Sequence, residues 1–350
     1  MQPYPVRRAA IEAGRLMITP LLRWKPMAEA VEGYSLMLGV PWDLRHLLPV
    51  NLRFIQATKS IRLVDINVVF DSGYQPEMDA IEKSCKDSFP GLPLRFHHYN
   101  APHAAVVRRL DTANFYNASN CALGLSVCKT RHMIVHDFDL YPTRPDYFEK
   151  VYDAIYGRKL RFCGLEHTHV DGMTDADNLM GTWCLAVDAE WIRKNYRPVD
   201  IFHRIVKLDG KLIHLDPFSQ IQLETPERGA VETIDGEACC HVRNLPSTYL
   251  MLVRGRQPKI VWRLHYLWYL EDLSDGGERL PEVILAMDAC EDGHLKTRGH
   301  EVDFNGVDKT CANVLRDDLT RMEGALFGEP REHVLGYIDS FQRFLERWGA

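Results

Sequence analysis

Strand-like and helix-like segments alternate through the first half of this chain. Residues 62–70 (RLVDINVVF) and 93–99 (PLRFHHY) are rich in the β-branched and aromatic residues of strands. Helical patterns follow each of them, at 76–88 and over most of 106–127. This alternation predicts βαβ units, and therefore an α/β fold in which helices flank a largely parallel sheet.

Assignments outside this region are less regular. An opening strand is predicted at 15–22, a helix at 28–38 and an amphipathic helix at 333–348. The predicted organisation has three parts: an N-terminal strand and helical segment (1–60), the α/β core (61–250) and a mostly helical C-terminal region (251–350).

Composition excludes several classes of protein. The chain of 350 residues has a net charge of −6, which disfavours a general nucleic-acid binder. Its most apolar window, 260–270, is short and interrupted by Arg263 and His265, so no transmembrane segment is expected. The nine cysteines form no CxxC pair, which disfavours a zinc ribbon and fits reduced thiols in the cytoplasm.

The most informative motif lies within residues 120–142 (NCALGLSVCKTRHMIVHDFDLYP), where an apolar strand ends in Asp137-Phe138-Asp139. Residues i and i+2 of a strand project to the same side. Both carboxylates can therefore point into the crevice at the carboxyl edge of a sheet, where α/β proteins bind ligands. They suit Mn²⁺ or Mg²⁺ bound to phosphate oxygens. A solvated turn is the alternative, but the preceding strand favours a metal site.

The segment VHDFDLYP resembles the DxD segment of GT-A glycosyltransferases, particularly that of the beta-galactosyltransferase family. Asn120 occupies a helix comparable to one that precedes this segment in those enzymes. NVVFDSG (67–73) is similar to the second strand of the class, which implies that Asp71 contacts the nucleoside. The resemblance covers 62–243 in motif order and spacing.

This resemblance implies a GT-A (Rossmann-like) mixed sheet flanked by helices, with a helical C-terminal extension. It also implies a nucleoside-diphosphate sugar donor, with a UDP-sugar favoured. The acceptor would be a glycan, a lipid-linked saccharide, a protein or a small molecule, and no nucleic acid is expected as a partner.

The same resemblance assigns roles to carboxylates and a histidine downstream. Asp216 would be the catalytic base of an inverting enzyme, at an N-cap before Pro217; a plain cap is the alternative. Glu224 and Asp177 are rival carboxylates. His241 would be the third metal ligand, or else an ordinary core or surface histidine.

Donor binding requires positive charge and a surface for the sugar. Arg109, with Arg108 and Arg243, is a candidate for the diphosphate because the guanidinium fork suits phosphate oxygens. Trp183 would stack on a sugar face, or else be a buried core residue. The polar segment 166–178 is interpreted as an acceptor-facing loop.

Two other functions remain open. A nucleotidyltransferase acting on sugar phosphates shares this layout, but it would show a Gly-rich basic loop after its first strand, and 19–23 (TPLLR) has no glycine. A non-catalytic carbohydrate-binding protein could keep the fold, although intact Asp137, Asp139 and His241 disfavour it.

Overall fold

The computed structural model describes residues 4–165, 179–208, 210–231, 234 and 237–350. Asp177 and the predicted acceptor loop 166–178 lie outside these ranges. The chain divides into two compact units. The first unit comprises Met1–Trp42, Lys59–Phe138 and Asp146–Asp235, and the second comprises Asp43–Thr58, Asp139–Pro145 and Gly236–Ala350.

The strands of the described residues range in length from three to eleven residues. They are β1 (Val31–Val40), β2 (Leu63–Gly73), β3 (Leu94–Tyr99), β4 (Thr130–His136), β5 (Leu140–Pro142), β6 (Phe162–Gly164), β7 (Cys184–Asp188), β8 (Arg204–Leu208), β9 (Lys211–Leu215), β10 (Arg228–Ala230), β11 (Cys239–His241), β12 (His294–Thr297) and β13 (His300–Asp303).

Helices surround the strands in both units. They are α1 (Tyr4–Ile18), α2 (Leu48–Ala57), α3 (Glu77–Ser88), α4 (Ala101–Leu110), α5 (Ala113–Val127), α6 (Tyr147–Gly157), α7 (Ala189–Asn195), α8 (Ser219–Leu223), α9 (Leu245–Val253), α10 (Leu264–Asp275), α11 (Arg279–Asp288), α12 (Cys311–Phe327) and α13 (Glu332–Trp348). Short 3₁₀ turns occur at Thr19–Leu21, Trp42–Leu47, Pro198–Ile201 and Val261–Arg263.

The first unit is built on a seven-stranded sheet in the order β10-β6-β7-β4-β1-β2-β3. Strands β4, β1, β2 and β3 are parallel to their neighbours in this series, whereas β7 runs antiparallel to β4 and β6. The sheet is therefore mixed. With the helices that accompany it, it confirms the predicted α/β class, and β8 and β9 form a separate hairpin.

Two predicted elements in the first 40 residues were wrong. The predicted helix 28–38 is strand β1, which lies between β2 and β4. Residues on both faces of β1 are buried, since Tyr34, Leu36 and Leu38 alternate with residues that are buried as well. The strand therefore lacks the alternation of apolar and polar residues that marks a strand with one exposed face. The first half of the predicted opening strand 15–22 lies in α1, and Thr19–Leu21 form a 3₁₀ turn. In α1, an Arg15–Glu12 ion pair joins residues one turn apart.

The helix predicted over most of 106–127 is two helices. α4 ends at Leu110 and α5 begins at Ala113. Between them, Asp111 is in the left-handed region with φ +41° and Thr112 is extended. The break follows from Asp111 because non-glycine residues adopt that conformation only at helix ends and turns.

The second unit is mostly helical. It contains α2, α9 to α13, the β12–β13 hairpin and the β5–β11 pair. α13 buries the apolar face that its sequence predicts, including Phe341 and Phe344, while Leu335 remains exposed. The helical C-terminal region is thus confirmed. Among the helices of the described residues, none has both the length and the apolarity that a bilayer span needs.

Candidate functional site

The DxD motif follows β4, which lies between β1 and β7. His136 pairs with Leu38 of β1 and with Cys184 of β7. Beyond these pairs, the backbone N–H of Asp137 donates to the carbonyl of Trp183 at 3.0 Å. Asp137 therefore stands at the carboxyl end of β4, beside the end of β1 and the half-buried Trp183.

Asn120 lies at the same level of the sheet. Its Oδ1 accepts a hydrogen bond from the Tyr99 hydroxyl at 2.5 Å. Its amide nitrogen is 2.7 Å from the position that a Cβ on Gly39 would occupy. Only glycine at position 39 lets α5 approach β1 this closely, and Gly39 immediately follows the Leu38–His136 pair. This close approach holds Asn120 near Asp137.

Asp71 lies near the carboxyl end of the neighbouring strand β2. Its Oδ1 accepts from the backbone N–H of Trp42 at 2.8 Å, just beyond the end of β1. Asp71, Asn120, Asp137 and Trp183 thus share one edge of the sheet in the first unit. This is the edge at which parallel α/β sheets bind ligands.

Asp139 is the buried carboxylate of the motif, with 8% of its side chain exposed. Its Oδ2 accepts from the backbone N–H of Leu245, the first residue of α9, at 3.0 Å. Its carbonyl accepts from the N–H of Val242, also at 3.0 Å. A helix has unpaired N–H groups in its first turn, so the carboxylate stabilises α9 while α9 fixes the carboxylate.

His241 is brought to the motif by pairing of β11 with β5, in which it opposes Leu140. Its Nε2 lies 3.5 Å from Oδ1 of Asp139. One ligand atom each from Asp137, Asp139 and His241 lie within 4.8 Å of one another. Carboxylate oxygens suit Mg²⁺ and Mn²⁺, and the imidazole favours Mn²⁺, since Mg²⁺ takes mainly oxygen ligands. The residues therefore fit a divalent cation.

Two arginines of the second unit adjoin Asp139. Nη1 of Arg263 donates to the carbonyl of Arg243 at 2.8 Å. Burial lowers the pKa of Arg263, and the charges of Arg243 and Asp139 act on it in opposite directions. Arg243 and the following Asn244 are both in the left-handed region, with φ of 56° and 62°. Such conformations in non-glycine residues concentrate at functional sites.

Arg263 is a residue that sequence reasoning missed. In the sequence it is noticeable only as a charge that interrupts an apolar run. Its Nε is buried and, within the described part of the chain, has no hydrogen-bond partner. The Arg263 guanidinium is held against the backbone of Arg243 and is close enough to Asp139 to interact with its charge. An arginine in this position favours a bound anion because its fork offers donors in a fixed geometry.

The predicted N-cap role of Asp216 was wrong. Helix α8 begins at Ser219, and its N-cap is Phe218, which has φ +66° and no side-chain capping bond. Asp216 instead belongs to the turn before the helix, where its carbonyl accepts from the N–H of Ser219. Its side chain is 47% exposed, and its Oδ1 lies 3.8 Å from Nδ1 of His214.

Helix α5 connects Asp216 with the DxD edge in the first unit. Asn114, in its first turn, places Nδ2 3.5 Å from Oδ1 of Asp216. Two turns later, burial raises the pKa of Cys121, and the nearby Asp137 charge adds to this effect. Positions 114 and 121 share one helix face about 10 Å apart along the axis, which brings Asp216 within reach of the same edge.

The other residues predicted from the sequence take no part in the contacts described above. Arg109 is exposed in the last turn of α4, and in the described ranges its guanidinium forms no ion pair. Glu224 is exposed at the end of α8 and accepts from Gln220 at 2.8 Å. Asp177 lies outside the described residues.

Comparison with known proteins gives remote similarity only. No protein-family model and no curated protein matches the chain. A mannosyltransferase from Pyrobaculum calidifontis, solved with GDP-Man and Mn²⁺, is 12% identical, with a TM-score of 0.43 over 99% of this chain and 98% of that one. The galactosyltransferase LgtC, solved with donor and acceptor sugar analogues, is 12% identical, with a TM-score of 0.40 over 56% and 72%.

A third structure, residues 1–349 of TarS from S. aureus, is 10% identical, with a TM-score of 0.38 over 90% of each chain. The first two structures are, by name, sugar transferases. All three TM-scores are below 0.5, so the similarity is remote.

Proposed function

We propose that this chain is a metal-dependent glycosyltransferase that moves a sugar from a nucleoside-diphosphate sugar to an acceptor by an inverting displacement. The observation that carries the proposal is the cluster of Asp137, Asp139 and His241, whose ligand atoms lie within 4.8 Å of one another. A bound divalent cation would neutralise the charge that develops on the departing diphosphate.

The charges near Asp139 support a diphosphate as the leaving group. Arg263 and Arg243 lie beside this ligand and offer donors to the phosphate oxygens. Asp139 itself is already fixed by Leu245, so its free oxygen needs little reorganisation to bind a cation. Arg109, the residue chosen from the sequence, is a second candidate for the same oxygens.

Other edge residues would bind the remainder of the donor. We assign the nucleoside to Asp71, and the sugar to Asn120 and to the face of Trp183. A UDP-sugar is favoured as donor, and the acceptor is a glycan, a lipid-linked saccharide, a protein or a small molecule. The acceptor hydroxyl would lose its proton to a base at Asp216 as its oxygen attacks the anomeric carbon.

The nucleotidyltransferase alternative is disfavoured by the corrected first strand. β1 is followed by Pro41, Trp42 and Asp43, which do not form the Gly-rich basic loop that such enzymes use to hold triphosphates. A carbohydrate-binding protein without activity would not need ligands for a diphosphate-bound cation, so the intact set of Asp137, Asp139 and His241 disfavours this alternative as well.

The test is hydrolysis of a panel of UDP- and GDP-sugars with and without Mn²⁺. We expect one donor to release nucleoside diphosphate only with Mn²⁺, and Asp137→Asn to abolish the release. A nucleotidyltransferase would instead release pyrophosphate from a nucleoside triphosphate and a sugar phosphate. Absence of both activities, with sugar binding intact, would support the non-catalytic alternative. Retained anomeric configuration in the product, read by NMR, would contradict the inverting displacement.

A further inference from the structure

A histidine stands next to the proposed base. His214 lies on β9, and Asp216 immediately follows the last residue of that strand. Nδ1 of His214 lies 3.8 Å from Oδ1 of Asp216, and 21% of the imidazole side chain is exposed. Nε2 lies 3.5 Å from Nδ2 of Asn114. The same Nδ2 lies 3.5 Å from Oδ1 of Asp216, so the imidazole, the carboxylate and the amide form one compact group.

These neighbours favour one tautomer of His214. An amide NH₂ only donates hydrogen bonds, so Asn114 faces the nitrogen that carries the lone pair, Nε2. The proton then belongs on Nδ1, which faces the Asp216 carboxylate. A histidine in this tautomer can accept a proton at Nε2, and a carboxylate 3.8 Å from Nδ1 favours the imidazolium that forms.

We propose that His214 is the proton acceptor and that Asp216 is its positioning residue, a refinement that rests on the proposed glycosyltransferase function. The acceptor hydroxyl displaces the loosely held Asn114 amide and transfers its proton to Nε2. Its oxygen bonds to the anomeric carbon, while the bond from that carbon to the diphosphate breaks and the electron pair leaves on the diphosphate.

Proton affinity favours the histidine over the carboxylate alone. An ordinary aspartate has a pKa of about 3.9, and an ordinary histidine has a pKa of about 6.5. A base is most effective when its pKa is close to the working pH, so at neutral pH imidazole is the better acceptor. The Asp216 charge would stabilise the imidazolium as it forms.

Other groups face His214 from the elements around it. The ring of the buried His203 lies 5.8 Å away, and Ile205 of β8 opposes His214 in the hairpin. The neighbouring Arg204 of β8 directs its Nε to Glu12 of α1 at 3.3 Å. Asp216 is therefore the carboxylate closest to the imidazole among the contacts described here, and removing its charge should change the affinity of His214 for a proton.

The first test is independent of catalysis. In protein with ¹³C-labelled histidine, the ring signal that disappears in His214→Gln is followed by NMR as pH changes. We expect this ring to bind its proton less tightly in Asp216→Asn than in the wild type, because an opposite charge is lost. An unchanged pKa in Asp216→Asn would overturn the pairing.

The second test measures kcat for Mn²⁺-dependent UDP-sugar hydrolysis, with water as acceptor and both UDP-sugar and Mn²⁺ saturating. His214→Gln should lower kcat by about 10²- to 10⁴-fold and remove the acidic limb of the pH profile. Asp216→Asn should lower kcat less and move the limb to lower pH. If His214→Gln keeps most of its kcat while Asp216→Asn loses it, Asp216 alone is the base.

Two controls separate this proposal from the proposed function. The exposed His98 on β3 offers His98→Gln as a matched substitution, which should leave the pH profile unchanged. UDP binding with Mn²⁺ should be the same in all variants, since none of these residues belongs to the metal cluster. If the wild type does not bind UDP, the proposed glycosyltransferase function is contradicted. The NMR titration would still show whether His214 and Asp216 interact.

Discussion

The metal cluster and the His214–Asp216 pair are held in different ways. Asp139 is 8% exposed and is fixed by a backbone N–H at 3.0 Å, whereas Asp216 is 47% exposed and has side-chain contacts of 3.5 and 3.8 Å. Ligands held by backbone groups are positioned before any substrate binds. Loosely held proton acceptors commonly tighten only when the acceptor substrate is present. We therefore expect substitutions in the cluster to affect binding and substitutions in the pair to affect chemistry.

The largest effect is expected from neutralising the DxD carboxylates. Asp137→Asn and Asp139→Asn should each abolish Mn²⁺-dependent UDP binding, because a neutral amide is a poor ligand for a hard cation. At position 139, asparagine keeps an oxygen that accepts from Leu245, so the fold should persist. Titration calorimetry with UDP measures the loss. Normal binding by both variants would mean that the cluster is not a metal site.

A somewhat smaller effect is expected from removing the imidazole ligand. At about 100 times its Kd, UDP should stabilise the wild type by roughly 2.7 kcal/mol with Mn²⁺ present. In His241→Ala, this thermal stabilisation should shrink but persist, since one ligand of several is lost. Excess EDTA is the control, and equal stabilisation with EDTA would exclude a metal from binding. An unchanged Mn²⁺ affinity in His241→Ala would make His241 a structural residue.

The sequence predicted the DxD edge because its signals are local. One continuous stretch contains the preceding βα units, the apolar strand and the two aspartates at i and i+2. Hydrophobic periodicity predicts the secondary structure of such a stretch well. Strand β1 was mistaken for a helix because it is a central strand: β2 and β4 pair with its two edges, and its residues 33–38 are all buried, so it lacks the alternation of a strand with one exposed face. That burial depends on strand order, which a single sequence does not reveal.

Contacts between residues that are far apart in the sequence could not be predicted either. Arg263 approaches Asp139 through the fold of the second unit, more than a hundred positions along the chain. The pairing of His214 with Asn114 depends on how α5 packs on the β8–β9 hairpin. Asp216 looked like an N-cap because of the following Pro217, but the left-handed Phe218 starts the helix later.

A third prediction compares the two arginine candidates for the diphosphate. Arg263→Gln should weaken UDP binding about 10- to 100-fold, because a charge-assisted hydrogen bond contributes about 1.5–3 kcal/mol. Mn²⁺ binding without nucleotide should not weaken. Arg109→Gln, an exposed arginine on α4, is the matched variant. If Arg109→Gln causes the loss and Arg263→Gln does not, the residue chosen from the sequence binds the phosphates.

The fourth prediction concerns stability. Asp139→Ala should lower the free energy of unfolding by about 1–2 kcal/mol, since α9 loses the acceptor for its first N–H. Asp137→Ala should cost less than about 0.5 kcal/mol, because its side chain is only half-buried and its anchoring bond to Trp183 comes from the backbone. Urea unfolding of both variants without metal measures the difference. Equal costs would show that Asp139 is not specially anchored.

The smallest effect is expected from Asp216→Asn on stability. Asp216 does not cap α8, its carboxylate is nearly half exposed, and its closest side-chain contact is Asn114 at 3.5 Å. Asparagine keeps the shape and an oxygen for that contact, so the free energy of unfolding should change by less than about 0.5 kcal/mol. UDP affinity with Mn²⁺ should also stay constant.

A larger loss of stability would mean that this turn is held as firmly as the metal cluster, and the contrast between the two regions would fail. A small loss, together with reduced turnover, would place the role of Asp216 in proton transfer.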